Sequence, residues 1–442
     1  MASAPSIKAL FDEAVAHQKA GRLTEAETAY RAILAISPGH VLATQNLGVT
    51  AATKGQVDTA IRLFDDVIAR EPAYAPAHYN RAAALEKQGK TQESIKGFTR
   101  VCALEPGHYD AHRALGFLWL AEGQRGRSLD HFARTYELRR GDDRLDPEAR
   151  SLTHATRAKL QHDAEQFLFL AEHRRDRARF ERLARAYRAV ADGFPEEPTR
   201  LSDEQVEMLG GDYNTAITIC DAPELVDGAV NQRADADALT RNFLGAPPGV
   251  VYFDALLKAK ALEALRRYLL ESTVWHDFGH ISGFVASYLE DGLACPLILQ
   301  IADEVRQVFP GLLAEHPLSQ AWAFKGLHAR AAVDVHADDA AISLNFWITP
   351  TKGSLTRDRG GLMVCRARPP RDWKVRGYLE GRERIVTFLE QNAAESLIVP
   401  YRENRAALFE SRLFHQSDQP YFSSSYENHR VNITFLFGRH SP

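Results

Sequence analysis

The stretch VDVHADDAAISLNFWITP, residues 333–350, places a histidine and an aspartate immediately before a strongly apolar run. His336 and Asp338 are two positions apart, so both side chains leave the same face of the chain where it is extended. The run over 341–349 is typical of a strand buried in a sheet. Polar side chains beside a sheet interior need a ligand or hydrogen-bond partners. The stretch therefore raises the hypothesis of a metal site, whose remaining ligands must lie elsewhere in the chain.

Further strand-like runs surround this stretch in the last part of the chain. Short apolar or alternating segments separated by turn residues follow residue 320, and they are AISLNFWIT, GLMVCRA, ESLIVPY, AALFESRLFHQS and RVNITFLFG. A strand-like run over 249–257 and two amphipathic helices, at 260–273 and 296–309, precede them. Helices first and strands afterwards predict a helix-buttressed antiparallel sandwich or barrel over residues 245–442.

A third metal ligand is available at His415 in LFHQSDQP, at the end of a predicted strand. Two histidines and one carboxylate on one face of an octahedron form the facial triad of non-haem Fe(II) oxygenases. The alternatives are a surface turn capped by Asp338 and a core histidine at His415. His276 and His280 in WHDFGH have an i, i+4 spacing that can bind a metal on a helix. They lie outside the β region and lack a third ligand, so we expect them to be structural.

The order of these residues resembles the 2-oxoglutarate/Fe(II)-dependent oxygenase superfamily, in its prolyl-hydroxylase-like branch. His336-x-Asp338 is followed by GGL at 360–362, then by His415, and then by Arg430 in HRVNITFLFG. A single H-x-D motif is weak because it is common by chance, whereas the ordered set is specific.

The resemblance covers about residues 245–442 and implies a double-stranded β-helix, or jelly-roll. It also implies an Fe(II) ion held by the triad, with 2-oxoglutarate and O2 as co-substrates. The keto-acid end of 2-oxoglutarate would chelate the metal, and Arg430 would pair with the far carboxylate. A guanidinium suits that task because it offers two parallel hydrogen bonds. A sheet-edge salt bridge or a contact with a protein partner is the alternative role for Arg430.

Other side chains are candidates for the same cavity. Asn432 and Thr434 share the strand face of Arg430 and would complete the co-substrate pocket. Many relatives have Ser or Thr where this chain has Asn432, which departs from the family pattern. A further co-substrate contact is predicted at Asn345, and the predicted substrate contacts are Trp322, Lys325 and Trp347.

The first third of the chain is a repeat with one register. Glycines, aromatic residues, small residues and prolines each recur every 34 residues, at Gly21, Gly55, Gly89 and Gly123; Tyr30, Phe64, Phe98 and Phe132; Ala26, Ala60, Ser94 and Ser128; and Pro38, Pro72 and Pro106. Four repeats over residues 7–142 resemble the tetratricopeptide repeat, an all-α solenoid. Glycine makes the turn between paired helices and proline ends the second helix. The fourth repeat has Arg140 in place of the proline.

Such solenoids present a concave face. Equivalent positions predicted on that face are Gln45, Tyr79 and Arg113, which would bind an extended peptide; a scaffold or homodimer contact is the alternative. We predict three domains: the repeats at 1–142, a helical connector with loops at 143–244, and the oxygenase domain at 245–442. The connector contains an Arg-rich helix over 173–194, and residues 196–240 read as loops.

The resulting prediction is a dioxygenase that hydroxylates a C–H bond, for which a peptide or protein side chain recruited by the repeats is the favoured substrate. Asp338 favours hydroxylation over halogenation, because related halogenases have Ala or Gly at that position. The alternatives are an oxygenase for a small molecule, with the repeats serving assembly, and a non-catalytic interaction protein. An intact triad plus Arg430 counts against the last.

The composition of the chain argues against several classes of function but does not predict one. The formal net charge of −4 gives no electrostatic argument for binding nucleic acid or an anionic membrane. The sequence has no secretory signal pattern and no apolar run of membrane-spanning length. Its four cysteines are scattered, without a CxxC pair. The expected location is the cytoplasm.

Overall fold

A computed structural model describes most of the chain, namely residues 6–142, 144–211, 213–245, 248–279, 283–356, 358–370, 373, 382–392 and 395–439. The chain divides into two compact units, residues 1–119 and 120–442. This division falls inside the fourth predicted repeat, whose predicted end is residue 142.

The first unit consists of helix pairs in the predicted repeat register. Its helices are α1 (Ile7–Lys19), α2 (Leu23–Ile36), α3 (Val41–Thr53), α4 (Val57–Arg70), α5 (Ala75–Lys87), α6 (Thr91–Leu104) and α7 (Tyr109–Ala121), the last of which crosses the boundary. Gly21, Gly55 and Gly89 separate the helices of each pair and adopt positive φ angles of 73°, 79° and 72°, a conformation that glycine adopts without strain. The repeat-class aromatic residues, such as Phe64, are fully buried between the helices. The predicted tetratricopeptide-like helical region is confirmed.

The second unit begins with helices and continues with mixed structure. Its helices are α8 (Arg125–Arg140), α9 (Arg150–Thr153), α10 (Arg157–His173), α11 (Arg177–Ala191), α12 (Asp203–Met208), α13 (Ala236–Gly245), α14 (Ala259–Glu271), α15 (Pro296–Val308), α16 (Pro310–Leu313) and α17 (Arg382–Gln391). Helices α10 and α11 pack around Phe167, Leu170 and Tyr187. The Arg-rich segment therefore forms the predicted helix, and part of the region that read as loops is also helical.

Arg140 explains why the fourth repeat departs from the proline pattern. It is the last residue of α8, and its guanidinium donates to both carboxylate oxygens of Asp291, at 2.9 Å from Nε and 2.7 Å from Nη2. Both side chains are almost completely buried. A proline at this position would remove the anchor that fixes α8 to the turn at Leu289–Asp291.

The strands form two larger antiparallel sheets and a short ribbon. They are β1 (His154–Ala155), β2 (Thr199–Arg200), β3 (Val250–Phe253), β4 (Phe284–Tyr288), β5 (Leu318–Gly326), β6 (Ile342–Trp347), β7 (Leu362–Cys365), β8 (Ser396–Val399), β9 (Ala406–Glu410), β10 (His415–Ser417) and β11 (Val431–Phe437). The large sheet has the order β3-β9-β6-β11-β5-β4, and the small sheet has the order β10-β7-β8. Each strand-like run of the sequence contains at least one of these strands.

Side chains from both sheets meet in one core. Trp347 and Phe409 of the large sheet pack with Leu362, Val364 and Val399 of the small sheet. A helical first part followed by a β-rich part matches the coarse architecture predicted from the sequence. Among the described residues, no helix combines the length and apolar character that crossing a bilayer requires.

Candidate metal centre and adjoining pocket

The H-x-D segment lies beside β10, and backbone pairing brings its two side chains to the third. The N–H of His336 donates to the carbonyl of His415 at 3.0 Å, and the N–H of His415 donates back at 2.8 Å. The N–H of Asp338 donates to the carbonyl of Ser411 at 2.9 Å. The segment thus continues the small sheet past β10. This pairing brings His336 and Asp338 to the same site as His415, which is distant from them in sequence.

The three side chains converge on a common point. One potential ligand atom from each of His336, Asp338 and His415 lies within 4.8 Å of the others. Asp338 Oδ1 is 3.9 Å from His336 Nε2, and Oδ2 is 3.6 Å from His415 Nε2. These separations are too long for hydrogen bonds, so the carboxylate and the two imidazoles do not satisfy one another directly.

The hydrogen bond on the far side of each imidazole fixes which ring nitrogen carries the proton when the ring is neutral. His336 Nδ1 lies 2.8 Å from the carbonyl of Asp334, and His415 Nδ1 lies 2.9 Å from the carbonyl of Leu413. A carbonyl only accepts, so each Nδ1 carries the proton and each Nε2 of a neutral ring presents a lone pair. Two such lone pairs and a carboxylate are three acceptors with no donor between them, which fits a bound cation.

Burial and further hydrogen bonds hold this arrangement. The hydroxyl of Ser343 donates to Asp338 Oδ2 at 2.9 Å and lies 2.9 Å from the hydroxyl of Ser411. Burial, and then the neighbouring His336, lower the pKa of His415 to about 4. His415 is therefore neutral near pH 7, which is the form that ligates metals.

Arg430 lies in the same pocket and has an unusual set of partners. Its Nε donates to the carbonyl of Gly360 at 3.0 Å, its Nη2 to the carbonyl of Gly361 at 3.1 Å, and its Nη1 to Asn432 Oδ1 at 3.2 Å. The residue is only 4% exposed, and burial lowers its pKa to about 10. Within the described part of the chain, no carboxylate pairs with this buried cation.

Strand pairing sets the other pocket side chains in rows across the large sheet. Trp322 lies opposite Thr434, and Thr434 lies opposite Asn345. The hydroxyl of Thr434 donates to the side-chain oxygen of Asn345. Asn432 lies on the same face two residues before Thr434. Arg430 lies two residues before Asn432, just ahead of β11. The pocket thus runs from the triad along β11 to the guanidinium.

Two of the predicted substrate contacts lie elsewhere. Lys325 is fully buried on the opposite face of β5, with Nζ 3.1 Å from the centroid of the Tyr426 ring. Burial there holds its pKa well below the usual value. Trp347 is in the core between the sheets, where it packs edge-to-face with Tyr401 at 6.0 Å. Neither side chain lines the pocket, whereas Trp322 does.

The pocket also contains residues that the sequence analysis did not identify. They are Phe324, Val333, Leu362, Gln416 and Ser417. Ser343, which supports Asp338, was missed as well, although it shares the strand face of Asn345 in the sequence ISLNFW.

The alternative histidine pair has a structural explanation for one of its members. His276 is 2% exposed, and its ring nitrogens lie 3.0 Å from Asn214 Oδ1 and 2.8 Å from the hydroxyl of Tyr136. His280 lies outside the described residues. His276 is thus a hydrogen-bonded core residue, as expected.

The three repeat positions predicted to bind peptide differ in how accessible they are. Gln45 is buried, and its amide donates to the carbonyl of Pro76 at 3.4 Å. Tyr79 stacks on His108 with ring centroids 4.9 Å apart. Arg113 is partly exposed, and its Nε lies 3.7 Å from the carboxylate of Asp110. Gln45 and Tyr79 therefore contact the start of the next helix pair, and Arg113 is the most accessible of the three.

Comparison with known proteins gives limited similarity. No protein-family model matches the chain, and no curated protein matches it. A structure of MamA from Desulfovibrio magneticus RS-1 is similar with a TM-score of 0.30 and 24% identity, covering 31% of this chain and 78% of that chain. A mutant of the Thermobaculum terrenum O-GlcNAc transferase is similar with a TM-score of 0.27 and 27% identity, covering 29% of this chain and 26% of that chain. The chemistry of the candidate metal centre is therefore inferred from its own residues.

Proposed function

We propose that this protein is an Fe(II)- and 2-oxoglutarate-dependent dioxygenase that hydroxylates a C–H bond. One observation supports this most strongly. Three acceptor groups that fit a cation share a pocket with a buried guanidinium for which the described residues provide no counter-charge. A pocket with a cation site at one end and a fixed positive charge at the other suits a small ligand with a chelating end and a carboxylate end.

His336, Asp338 and His415 would hold the metal. When bound, Fe(II) would supply the redox chemistry that couples decarboxylation of 2-oxoglutarate to insertion of one oxygen atom from O2 into the substrate. Asp338 provides the carboxylate ligand that favours hydroxylation, and Ser343 keeps that carboxylate oriented by donating to Oδ2. The two backbone carbonyls behind the imidazoles keep each Nε2 turned towards the carboxylate.

Arg430 would bind the far carboxylate of the co-substrate. A guanidinium has five N–H donors, and three nitrogen atoms of Arg430 each use one donor on a protein acceptor. One N–H remains on each terminal nitrogen, which is the pair that a carboxylate binds in parallel. Asn432 and Gly361 fix the plane of the guanidinium, so little rotational freedom is lost on binding.

The fold that we infer for the β-rich part is the double-stranded β-helix of this superfamily. The antiparallel pairing of both sheets and the common core between them support it. For the substrate we favour a peptide or protein side chain, because the first unit is a tetratricopeptide-like solenoid. A small-molecule substrate, with the repeats serving assembly, is the alternative.

Succinate formation tests this proposal. Full-length protein is purified without metal, reconstituted with Fe(II) and incubated in air with 2-oxoglutarate alone or with peptide and metabolite panels. We expect Fe(II)-dependent succinate, produced slowly without substrate and faster with one member of a panel. Protein that binds both Fe(II) and 2-oxoglutarate in titrations but yields no succinate with any panel would contradict the activity.

A further inference from the structure

An aromatic wall leads from the metal pocket to the edge of the large sheet. Trp322 lines the pocket, and its ring centroid lies 6.1 Å from that of Phe324 on one side and 6.5 Å from that of Tyr288 on the other. Tyr288 pairs directly with Trp322 across β4 and β5. Trp322 and Tyr288 are both partly exposed, so part of the wall is accessible to a ligand.

Two carboxylates, those of Glu290 and Asp277, lie near the outer end of this wall. Gln320 precedes Trp322 by two residues on the same face of β5, and its amide donates to Glu290 Oε2 at 3.2 Å. The hydroxyl of Tyr288 donates to Asp277, and burial together with that carboxylate raises the pKa of Tyr288. The tyrosine therefore stays neutral and directs its hydroxyl towards the acid.

The charge of Glu290 is not neutralised within the described part of the chain. The two arginines that reach this turn, Arg139 and Arg140, pair with the adjacent Asp291, at 3.5 and 2.7 Å. Among the described residues, the hydrogen-bond partner of Glu290 is the neutral amide of Gln320. Glu290 is an electrostatic neighbour of Tyr288 and is hydrogen-bonded to Gln320 on the strand of Trp322. A partly exposed carboxylate near two aromatic side chains suits a cation, because ring faces and carboxylates attract the same charge.

We propose that the substrate of this site carries an ammonium or guanidinium group, which binds against Tyr288, Trp322 and Glu290. This inference rests on the proposed oxygenase function for its biological meaning, and it narrows the substrate to a basic side chain. The carbon to be oxidised would then lie on the stem of that side chain or on a neighbouring residue, between the aromatic wall and the triad.

Binding of defined peptide libraries tests the proposal separately from turnover. Four libraries of random nonapeptides carry lysine, arginine, norleucine or citrulline at the central position. Each is incubated under nitrogen with immobilised full-length protein, Fe(II) and 2-oxoglutarate, and retained peptide is measured by mass spectrometry. We expect the lysine and arginine libraries to be retained at least about tenfold better than their neutral counterparts.

The matched variants are Glu290→Gln, Glu290→Lys and, as a control, Glu315→Gln on an exposed carboxylate of the same unit. Glu290→Gln should remove most of the preference and Glu290→Lys should reverse it, while Glu315→Gln keeps it. Because the repeats can also bind peptides, only a preference for basic peptides that depends on Glu290 supports the proposed cation site. Equal retention of all four libraries, or a preference unchanged in Glu290→Gln, would overturn the proposal.

Succinate measured on the same samples in air distinguishes the two inferences. A Glu290-dependent preference without succinate supports the cation site and contradicts the oxygenase. Succinate formation without any such preference supports the oxygenase and rejects the cation site.

Discussion

Gly361 and Arg430 are joined by a hydrogen bond that depends on the absence of a side chain at the glycine. The Nη2 of Arg430 donates to the Gly361 carbonyl at 3.1 Å. A Cβ on Gly361 would lie 2.0 Å from the carbonyl oxygen of Val399 on β8. The glycine pair of the motif therefore lets the chain run against β8 while its carbonyls hold the guanidinium.

Gly361→Ala should weaken both the fold and co-substrate binding. The backbone must move to relieve the contact with Val399, and we expect a loss of roughly 1–3 kcal/mol in the free energy of unfolding. The same movement displaces an acceptor of Arg430, so 2-oxoglutarate affinity should fall as well. Urea unfolding and calorimetric titration measure the two effects. The control is Gly126→Ala in α8, which meets no atom within 4 Å and should be neutral or stabilising. An unchanged Gly361→Ala protein would show that the carbonyl position is unimportant.

Arg430→Lys should reduce 2-oxoglutarate affinity far more than Fe(II) affinity. A lysine supplies a point charge in place of two parallel hydrogen bonds. The loss should be about 2–3 kcal/mol, or about 30- to 150-fold in Kd. Titrations of each ligand into the variant measure the difference. An unchanged 2-oxoglutarate affinity would mean that the carboxylate binds elsewhere in the protein.

Alanine at His336, Asp338 or His415 should remove stoichiometric metal and iron-dependent succinate formation while the fold remains. The reason is that a site with three protein ligands cannot hold the metal in the required geometry once one is lost. Metal content after dialysis measures this directly. Asp339→Ala is the matched control, because Asp339 is exposed whereas Asp338 is buried. Normal metal content in Asp338→Ala would reject the triad.

The elements with strong sequence periodicity could be predicted from the sequence, and so could the motif residues close to them. The 34-residue register located the helix pairs, because each repeat must place the same small and aromatic residues in the same interhelical contact. Lys325 was predicted as a substrate contact, but it lies on the opposite face of β5 from the pocket. Trp322 and Lys325 are three residues apart, so a regular strand places them on opposite faces, and the structure does so. The alternation of side chains along β5 therefore places Lys325 outside the pocket that Trp322 lines.

Other features depend on tertiary pairing that a single sequence does not display. Trp347 shares the strand face of Asn345, yet the small sheet covers it and leaves Asn345 in the pocket. Ser411 approaches Asp338 because the H-x-D segment pairs with the turn before β10. Glu290 precedes Trp322 by 32 residues in the chain, and only the pairing of β4 with β5 brings their neighbourhoods together.

Asp291→Asn should destabilise the second unit near pH 7, and the difference from the wild type should shrink in acid. Burial by itself would raise the pKa of Asp291, but the guanidinium of Arg140 outweighs burial and holds that pKa below its usual value. A carboxyl with a depressed pKa contributes stability above its unfolded pKa of about 3.9 and loses it as the pH falls towards the folded value.

Removing one partner of a buried pair typically costs about 3–5 kcal/mol, so the variant should differ by that order at pH 7. Urea titrations at pH 7 and pH 3 measure the gap. Glu137→Gln is the control, because its ion pair with Arg134 is partly exposed and should change stability by under about 1 kcal/mol. A gap of equal size at both pH values would contradict the assigned role of the charge.

The last prediction separates recruitment by the repeats from their internal packing. Arg113 is partly exposed, and its carboxylate neighbour Asp110 lies 3.7 Å away, so Arg113→Ala should leave stability almost unchanged. If the repeats recruit the substrate, this variant should raise KM for a peptide substrate several-fold with kcat unchanged, because binding remote from the reacting carbon is mostly uniform in ground and transition states. Tyr79→Ala should instead lower Tm, since the ring packs on His108 and Phe98. Steady-state kinetics and thermal unfolding of both variants distinguish these outcomes. An unchanged KM in Arg113→Ala, together with a change of oligomeric state in light scattering, would favour assembly as the role of the repeats.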